Sequence, residues 1–370
     1  MEFSGIALAV LLSVGLAALL LPLAIRLGHK YQFLDMPGKH KRHRKPTPMV
    51  GGPVLLLVLW PSLLIAGTLF PELFGQLSTS FGYVLAGALI IALVGFSDDL
   101  TPLSAWIKLA AQVSAGLVLY LGGLRIDPLT IPFYGPVWLG DYSVIVTLFW
   151  VIMLTNAINL LDGLDGLASG VSLVAALVLA IVGFLYDVGA VVLMASTLSG
   201  FLAVFLFYNY HPARTFLGDS GSLQIGYYFA VISLLVPIRS YTAAALYLPL
   251  LSLALPLLET GTAVVRRVVS GKSIMRADRR HLFHLLALAG LSGRQVVSLF
   301  YILSVVFGLF TLAMYYLNRI WVVTILALFM VVIFGAIFIL LTNLQPKKRH
   351  FSADKPDRND RLKSESHEHD

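Results

Sequence analysis

The sequence predicts an all-α polytopic membrane protein with about eleven transmembrane helices, on the basis of composition, apolar runs and charge placement. Of the 370 residues, 58% are hydrophobic and only 12% are charged, with a mean hydropathy of +0.86. A soluble domain would carry about 25% charged residues. Apolar runs recur along the chain at about 20 residues, the length of a helix that crosses a bilayer. The chain has no cysteine, which excludes disulfides and thiolate metal sites.

Each predicted span is an apolar run of about 20 residues. The first run, 4–25, lacks a basic segment before it and a small-residue cleavage site, so we interpret it as a membrane helix and not as a removed signal peptide. The sixth and seventh runs are separated by Tyr186 and Asp187 alone. The predicted spans are 4–25, 50–70, 81–97, 104–121, 143–160, 167–186, 188–208, 221–236, 242–260, 295–316 and 320–342.

These spans and their loops predict one membrane domain over residues 1–342, followed by a polar, disordered tail over residues 343–370. The loops 26–48 and 261–294 and the tail carry seven Lys or Arg residues each, and all three fall on one side of the predicted topology. The opposite side carries three arginines. Because Lys and Arg are enriched in cytoplasmic loops, we expect the N-terminus outside and the C-terminus in the cytoplasm.

Five aspartates stand at the ends of predicted spans. Asp98 and Asp99 follow the third span, Asp162 and Asp165 follow the fifth, and Asp219 follows the seventh. All are odd-numbered exits, so the topology predicts that the five share the cytoplasmic face. A carboxylate near the bilayer is costly and is rare unless it has a function. Five on one face suggest a magnesium and phosphate site, whereas a transport pathway would place polar groups near the midplane or on both faces.

The fifth span ends in a stripe of polar side chains. Asn156, Asn159 and Asp162 are spaced three residues apart, so on a helix they share one face. Asp165 extends the stripe, although the glycines on either side of Leu164 and Asp165 can break the helix there. Asparagine and aspartate oxygens are hard ligands that suit magnesium. The alternative is helix capping at a membrane exit, which requires only one such residue.

The other two aspartate motifs are each open to a second interpretation. Asp98 and Asp99 are adjacent, so their repulsion can raise one pKa or attract a cation, which suits a general base or a metal site; the alternative is an N-cap for the next span. Asp219 lies in GDSGS, at the start of the eighth span. A helix start offers N–H groups to a phosphate, with Asp219 as a cap or a metal ligand.

The basic loop after the ninth span contains His281 and His284, three residues apart, beside several arginines that include Arg280. Arginine and histidine side chains can bind a pyrophosphate. Topological positive charge is the alternative, and it explains the arginines but not the histidines. We expect no nucleic-acid partner, because basic residues beside spans serve topology and attraction to anionic headgroups.

Together these motifs resemble those of the polyprenyl-phosphate N-acetylhexosamine-1-phosphate transferase family. The resemblance covers about residues 30 to 300 and is carried by PMVGGP, DDLTPLSAWIKLAAQ, NAINLLDGLDGLASG and YNYHPARTFLGDSGS. The late loop, DRRHLFHLL, is similar to the HxHH pattern of the N-acetylglucosamine-1-phosphate branch more than to the adjacent histidines of the phospho-N-acetylmuramoyl-pentapeptide branch. Phe283 stands where the middle histidine is expected, which bears on sugar specificity.

The resemblance implies an enzyme of the bacterial cytoplasmic membrane with its active site facing the cytoplasm. It would transfer N-acetylhexosamine-1-phosphate, by default N-acetylglucosamine-1-phosphate, from a UDP-sugar to undecaprenyl phosphate and release UMP. The cofactor would be Mg²⁺, with Mn²⁺ as a substitute, and the protein would form a homodimer. The step would begin cell-wall or surface-polysaccharide synthesis. Within the class, transfer of phospho-N-acetylmuramoyl-pentapeptide or of a deoxysugar stays open; the alternative outside it is a transporter, which would need polar groups inside the spans.

The resemblance also implies roles for individual residues. Asp219 would bind the metal ion with Asn159, and Asp98 and Asp99 would handle the lipid phosphate, one of them as a base. Phe216 would stack on the uracil, Asp165 would bond to it with Asp162 alongside, and Asn209 would lie near the nucleotide. His281, His284 and Arg280 would hold the sugar and the pyrophosphate.

Overall fold

The computed structural model describes residues 3–37, 45–75, 77–131, 135–236, 244–269, 282–317 and 322–330. The described residues are mostly helical. The helices are α1 (Phe3–Lys30), α2 (Gly51–Leu69), α3 (Pro71–Phe74), α4 (Leu77–Leu100), α5 (Ala105–Leu121), α6 (Ser143–Leu161), α7 (Leu167–Leu185), α8 (Gly189–Asn209), α9 (Gly218–Leu235), α10 (Ala244–Ser252), α11 (Ala254–Val269), α12 (Leu282–Leu288) and α13 (Gly293–Tyr316).

The predicted spans coincide with helices throughout the described residues. The separation after the sixth span is confirmed, because α7 ends at Leu185, Asp187 has a left-handed backbone with φ 54°, and α8 begins at Gly189. The predicted span 242–260 differs, since a turn at Leu253 divides it into α10 and α11. Of the last predicted span, residues 322–330 are helical. The rest of that span and the predicted tail lie outside the described residues.

Within the described chain, seven helices are long and apolar enough to cross a membrane, which supports a multi-pass membrane protein. They are α1, α2, α4, α6, α7, α8 and α13. Helix α5 is apolar but has 17 residues. Every residue of α9 from Ser220 to Leu235 is buried among other helices. Because it does not face lipid, this helix can carry more polar residues than a lipid-facing helix. The total of eleven spans and their orientation stay predictions.

Small residues let the neighbouring helices approach α9 closely. A Cβ atom on Gly95 of α4 would lie 2.5 Å from the Cα of Ser220, and one on Gly226 of α9 would lie 2.5 Å from the carbonyl oxygen of Leu154 in α6. Glycine at these contacts is typical of packed membrane helices. Some buried polar side chains of α9 bond to neighbouring helices, as when the Tyr227 hydroxyl donates to the Val84 carbonyl at 2.9 Å. Helix α9 therefore has a fixed position relative to α4 and α6.

Two short antiparallel strand pairs, which the sequence did not predict, lie in the loops. Strands β1 (Leu34–Asp35) and β2 (Thr47–Pro48) pair before α2, and β3 (Leu129–Ile131) pairs with β4 (Gly135–Val137) before α6. The carbonyl of Pro48 accepts bonds from the Phe216 N–H and the Thr215 hydroxyl, both at 2.9 Å. This contact ties the start of α2 to the segment that enters α9.

The chain divides into two compact units, Met1–Leu326 and Ala327–Asp370. All the helices named above and both strand pairs belong to the first unit. Residues 327–330 of the second unit are helical.

Candidate active site

Aspartates from separate motifs meet at one end of the helix bundle, where α4 ends and α9 begins. The carboxylate of Asp99 accepts bonds from the backbone N–H groups of Asp219 at 2.7 Å and Ser220 at 3.1 Å, and from the Ser220 hydroxyl at 2.6 Å. Asp99 therefore caps a helix that begins about 120 residues later in the chain. The prediction that the motifs share one end is confirmed; the side of the membrane that this end faces stays a prediction.

The cap corrects one expectation about α9. The N–H groups expected to bind a phosphate at its start are donated to Asp99, so that interpretation is wrong for Asp219 and Ser220. Nor does the Asp219 side chain cap its own helix. Gly218 lies beside the cap with φ 69°, and a Cβ there would come within 2.5 Å of an Asp99 carboxylate oxygen, so both the backbone and the space favour glycine.

Lys108 supplies a positive charge at the centre of the site. Its ammonium group bonds to Asp98 Oδ2 at 3.1 Å and to Asp219 Oδ2 at 2.8 Å. The other oxygen of Asp98 accepts from the Leu103 N–H at 2.7 Å, whereas Ser104 caps α5, so Asp98 is not the N-cap of the next helix. The sequence analysis did not identify Lys108 as a functional residue. The available signal was a lysine inside an otherwise apolar run, which is costly without a partner.

The polar stripe on α6 faces this cluster. The side-chain amide of Asn159 donates to Asp219 Oδ1 at 3.1 Å and to the Ser222 hydroxyl at 2.9 Å. Asn156, one turn earlier, donates to Gln112 of α5 at 2.8 Å. Helix α6 ends at Leu161, and residues 162–166 form a loop before α7. The predicted stripe is therefore confirmed for Asn156 and Asn159 only, because Asp162 and Asp165 lie beyond the helix end, and the predicted break at the glycines is confirmed.

Asp162 begins this loop and has a strongly shifted pKa. Burial, followed by the negative charges of Asp219, Asp99 and Asp165, raises the pKa of Asp162 to about 8. The carboxyl group therefore holds its proton to a higher pH than an exposed aspartate, whose pKa is about 4. A cation bound nearby would favour its ionised form, because opposite charge stabilises a carboxylate.

Asp165, at the other end of the loop, is held by the segment after α8. Its Oδ2 atom lies 2.8 Å from Nδ1 of His211 and accepts from the Ala213 N–H at 3.2 Å. The sequence did not mark His211 as a functional residue. Phe216, the predicted uracil-stacking residue, is half-buried in the same segment, and its backbone is bonded to Pro48.

Asn209 anchors the loop 162–166 through hydrogen bonds. Its side-chain oxygen accepts from the Gly166 N–H at 3.1 Å and from the Ser169 hydroxyl at 2.7 Å, and its amide donates to the Thr215 carbonyl at 2.9 Å. The side chain is 2% exposed and its polar atoms bond inside the protein. Its predicted place near the nucleotide stays a prediction. Tyr301 of α13, which the sequence analysis missed, donates its hydroxyl to the Gly166 carbonyl at 2.6 Å.

The histidine motif is only partly visible, because His281 and Arg280 lie outside the described residues. His284 lies in α12, with its ring centroid 4.4 Å from that of Phe283. Phe283 is 2% exposed and packs against Gly163 of the loop. The N–H of Leu282 donates to the Glu259 carboxylate of α11 at 2.7 Å. Helix α12 is thus attached both to α11 and to the loop that carries Asp162 and Asp165.

The side-chain atoms near Asp219 that could bind a metal ion are oxygen atoms. The described residues contain no group of three or more His, Cys, Asp or Glu side chains close enough to hold a metal ion by themselves. Magnesium usually takes one or two carboxylates and completes its coordination with water and substrate phosphates. Asp219, with Asn159 beside it, could supply such a carboxylate once the Lys108 ammonium group, which lies 2.8 Å from Asp219 Oδ2, moves away from it. The Asn159 amide nitrogen faces Asp219, so its oxygen could bind a metal only after the amide turns.

Comparison with known proteins supports the family resemblance. The model of the family described as glycosyl transferase family 4 matches residues 81–236. The chain is 32% identical over 349 residues to a probable undecaprenyl-phosphate N-acetylglucosaminyl 1-phosphate transferase of Bacillus subtilis, covering 93% of this chain and 94% of that protein. It is 35% identical to the decaprenyl-phosphate N-acetylglucosaminephosphotransferase of Mycolicibacterium smegmatis, and the match covers 81% of this chain and 80% of that protein. It is 34% identical to a phospho-N-acetylmuramoyl-pentapeptide-transferase of Moorella thermoacetica, covering 74% and 86%.

Proposed function

We propose a specific activity for this chain, which belongs to the polyprenyl-phosphate N-acetylhexosamine-1-phosphate transferases of glycosyl transferase family 4. In this proposal, the enzyme transfers N-acetylglucosamine-1-phosphate from UDP-N-acetylglucosamine to undecaprenyl phosphate. The observation that carries the proposal is the cluster of Asp98, Asp99, Lys108, Asn159 and Asp219 at one end of the bundle. It combines carboxylates, an amide and an ammonium group beside apolar helices, which suits a phosphorylated lipid and a soluble nucleotide.

In the proposed reaction, an oxygen of the lipid phosphate attacks the β-phosphorus of the UDP-sugar. A new phosphorus–oxygen bond forms, the bond from that phosphorus to the bridging oxygen breaks, and UMP leaves with the bonding electrons. Phosphoryl transfer depends mainly on position and electrostatics, so a strong side-chain nucleophile is not required. The lipid phosphate is already largely ionised at neutral pH, since the second pKa of a phosphate monoester is about 6.

The residues of the cluster have separable roles in this proposal. Lys108 binds phosphate oxygens and offsets the charge that develops during transfer. Asp98 holds the Lys108 ammonium group at 3.1 Å, and Asp99 fixes the start of α9 and with it the position of Asp219. Asp219, with Asn159 after amide rotation, would hold Mg²⁺. When bound, that ion neutralises the pyrophosphate and polarises the bond to the leaving group.

The loop 162–166 is proposed to bind the nucleotide, with Phe216 beside it. Its support is geometric, because Asp165, His211 and Phe216 lie on neighbouring segments that Asn209 and Pro48 tie together. Asp165 is bonded through Oδ2 to His211, which orients the carboxylate. An oriented carboxylate can accept a bond from an N–H of the uracil.

The test is turnover by the purified full chain in detergent with undecaprenyl phosphate and UDP-N-acetylglucosamine, with and without Mg²⁺. We expect UMP release that requires both the lipid and the metal ion. Asp219→Asn should abolish it, whereas Asp141→Asn, an exposed aspartate at the opposite end of α6, should retain it. UMP release that survives Asp219→Asn would refute the metal-binding role.

A second donor deserves the same assay, because one relative is a phospho-N-acetylmuramoyl-pentapeptide-transferase. We propose the N-acetylglucosamine donor, since the Bacillus subtilis relative matches 93% of the chain and the Moorella relative 74%. Offering both donors in competition, with UDP-N-acetylgalactosamine and a UDP-deoxysugar, decides among them. A preference for UDP-N-acetylmuramoyl-pentapeptide would overturn the proposed donor while leaving the reaction type intact.

A further inference from the structure

Phe283 of α12 packs against the loop that carries Asp162 and Asp165. Its ring is 2% exposed, and a Cβ atom built on Gly163 would overlap its Cζ and Cε2 atoms. The ring therefore touches the loop at a position where only a hydrogen atom fits. Phe283 was expected to bear on sugar specificity, and its buried ring packs against Gly163 of the loop.

Helix α12 has a second attachment at its first residue. The N–H of Leu282 donates to Oε1 of Glu259 at 2.7 Å, and the Glu259 side chain is itself 2% exposed. His284 follows Phe283 directly, with the two ring centroids 4.4 Å apart. The position of His284 relative to the loop 162–166 therefore depends on how closely the Phe283 ring seats on Gly163.

We infer that Phe283 is a positioning residue: by seating on Gly163, its ring fixes α12 and His284 relative to the loop that carries Asp162 and Asp165. The inference rests on the proposed function for its kinetic consequences but not for the contact itself. It predicts that residue 283 governs how well the donor is bound and placed, and that it does not select among sugars.

A double mutant tests the contact, because the substitution at Phe283 should offset the effect of the substitution at Gly163. Gly163→Ala should push the ring away and lower kcat/KM for the UDP-sugar by about tenfold or more, because small misplacements in an active site are costly. The same change added to Phe283→Leu, whose shorter side chain leaves room for a Cβ, should cost less than about twofold. The Michaelis constant for the lipid should stay unchanged in each variant. Independent, additive losses would overturn the inference.

Donor choice separates a positioning role from a specificity role. Phe283→His should change kcat/KM for UDP-N-acetylglucosamine and UDP-N-acetylgalactosamine by the same factor, because the side chain contacts the loop and not the sugar. A change in the ratio of the two donors of about tenfold or more would make residue 283 a specificity element and overturn the inference.

Cross-linking tests the contact without any activity. The chain has no cysteine, so Gly163→Cys with Phe283→Cys can be treated with a short bifunctional thiol reagent and no background. We expect efficient cross-linking of this pair and none for Gly163→Cys with Gly122→Cys, which follows α5 at its other end. A 163–283 pair that reacts no better than this control overturns the inference. If the wild-type chain releases no UMP, the proposed function fails, and the cross-link still decides the contact.

Discussion

Replacing Asp99 should destabilise the protein more than replacing its neighbour Asp98. Asp99 accepts three hydrogen bonds at the start of α9, from two backbone N–H groups and one hydroxyl. Asp98 accepts one backbone bond and forms an ion pair in which the Lys108 side chain is 26% exposed. The two residues are adjacent in sequence, so they form a matched pair.

The magnitude follows from the donors that each change leaves without an acceptor. A buried donor left unsatisfied costs about 1–3 kcal/mol. The three donors to Asp99 are only partly buried, so each should cost near the lower end of that range, and Asp99→Ala forfeits roughly 3–5 kcal/mol in all. Relief of repulsion with Asp219 and Asp162 offsets part of this, which leaves about 2–4 kcal/mol. Asp98→Ala loses one such bond and a partly exposed ion pair, for about 1–2 kcal/mol in all.

Thermal unfolding in detergent is the assay, followed by tryptophan fluorescence because the chain has five tryptophans and no cysteine for a thiol dye. We expect a fall in Tm of several degrees for Asp99→Ala, and a clearly smaller fall for Asp98→Ala. Asp99→Asn, which keeps one acceptor oxygen, should lie between them. Equal Tm values for the two alanine variants would refute the interpretation of Asp99 as the cap of α9.

Three further predictions concern single side chains of the site. Lys108→Met should lower kcat by about 100-fold or more, because it removes the charge that bridges Asp98 and Asp219, and Lys108→Arg should recover part of the rate in a UMP-release assay. Because the pKa of Asp162 is raised in the folded state, the folded protein keeps a proton that the unfolded chain releases above pH about 4. Without metal, the free energy of unfolding should therefore fall as the pH rises toward about 8. Asp162→Asn should flatten this fall in Tm measured in EDTA between pH 6 and 9, and an unchanged slope would contradict the assignment. Tyr301→Phe removes one bond to the loop, so it should raise the Michaelis constant for the donor by severalfold and leave that for the lipid unchanged; equal effects on both would argue against a local role.

The helices were largely predictable because membrane spans are set by local composition. The boundary at Tyr186 and Asp187 followed from two residues and is confirmed, and α9 was predicted despite its polar residues because its last ten residues are mostly apolar. The turn at Leu253 was missed, although Pro249 and Pro256 interrupt the same run. The hairpins were missed because the paired strands are only two or three residues long.

The components of the site were predictable, but their connections were not. The aspartate motifs stood out because carboxylates are rare beside the bilayer. Lys108 reaches Asp219 across 111 positions in the chain, and Asp99 caps a helix that begins 120 residues later. No local pattern encodes such contacts, since they arise only when α4, α5 and α9 pack together. For the same reason, the sequence showed Phe283 only as a phenylalanine at a position where a histidine was expected. Its contact with Gly163 is evident only from the fold.

The measurement that tests the central claim most directly is mass spectrometry of the lipid formed by the purified protein from undecaprenyl phosphate and UDP-N-acetylglucosamine. We predict a lipid carrying a pyrophosphate-linked N-acetylhexosamine, one equivalent of UMP for each lipid formed, and neither product with Asp219→Asn. A folded wild-type protein that yields no such lipid with any UDP-sugar offered, or a product with a single phosphate between lipid and sugar, would contradict the proposed reaction.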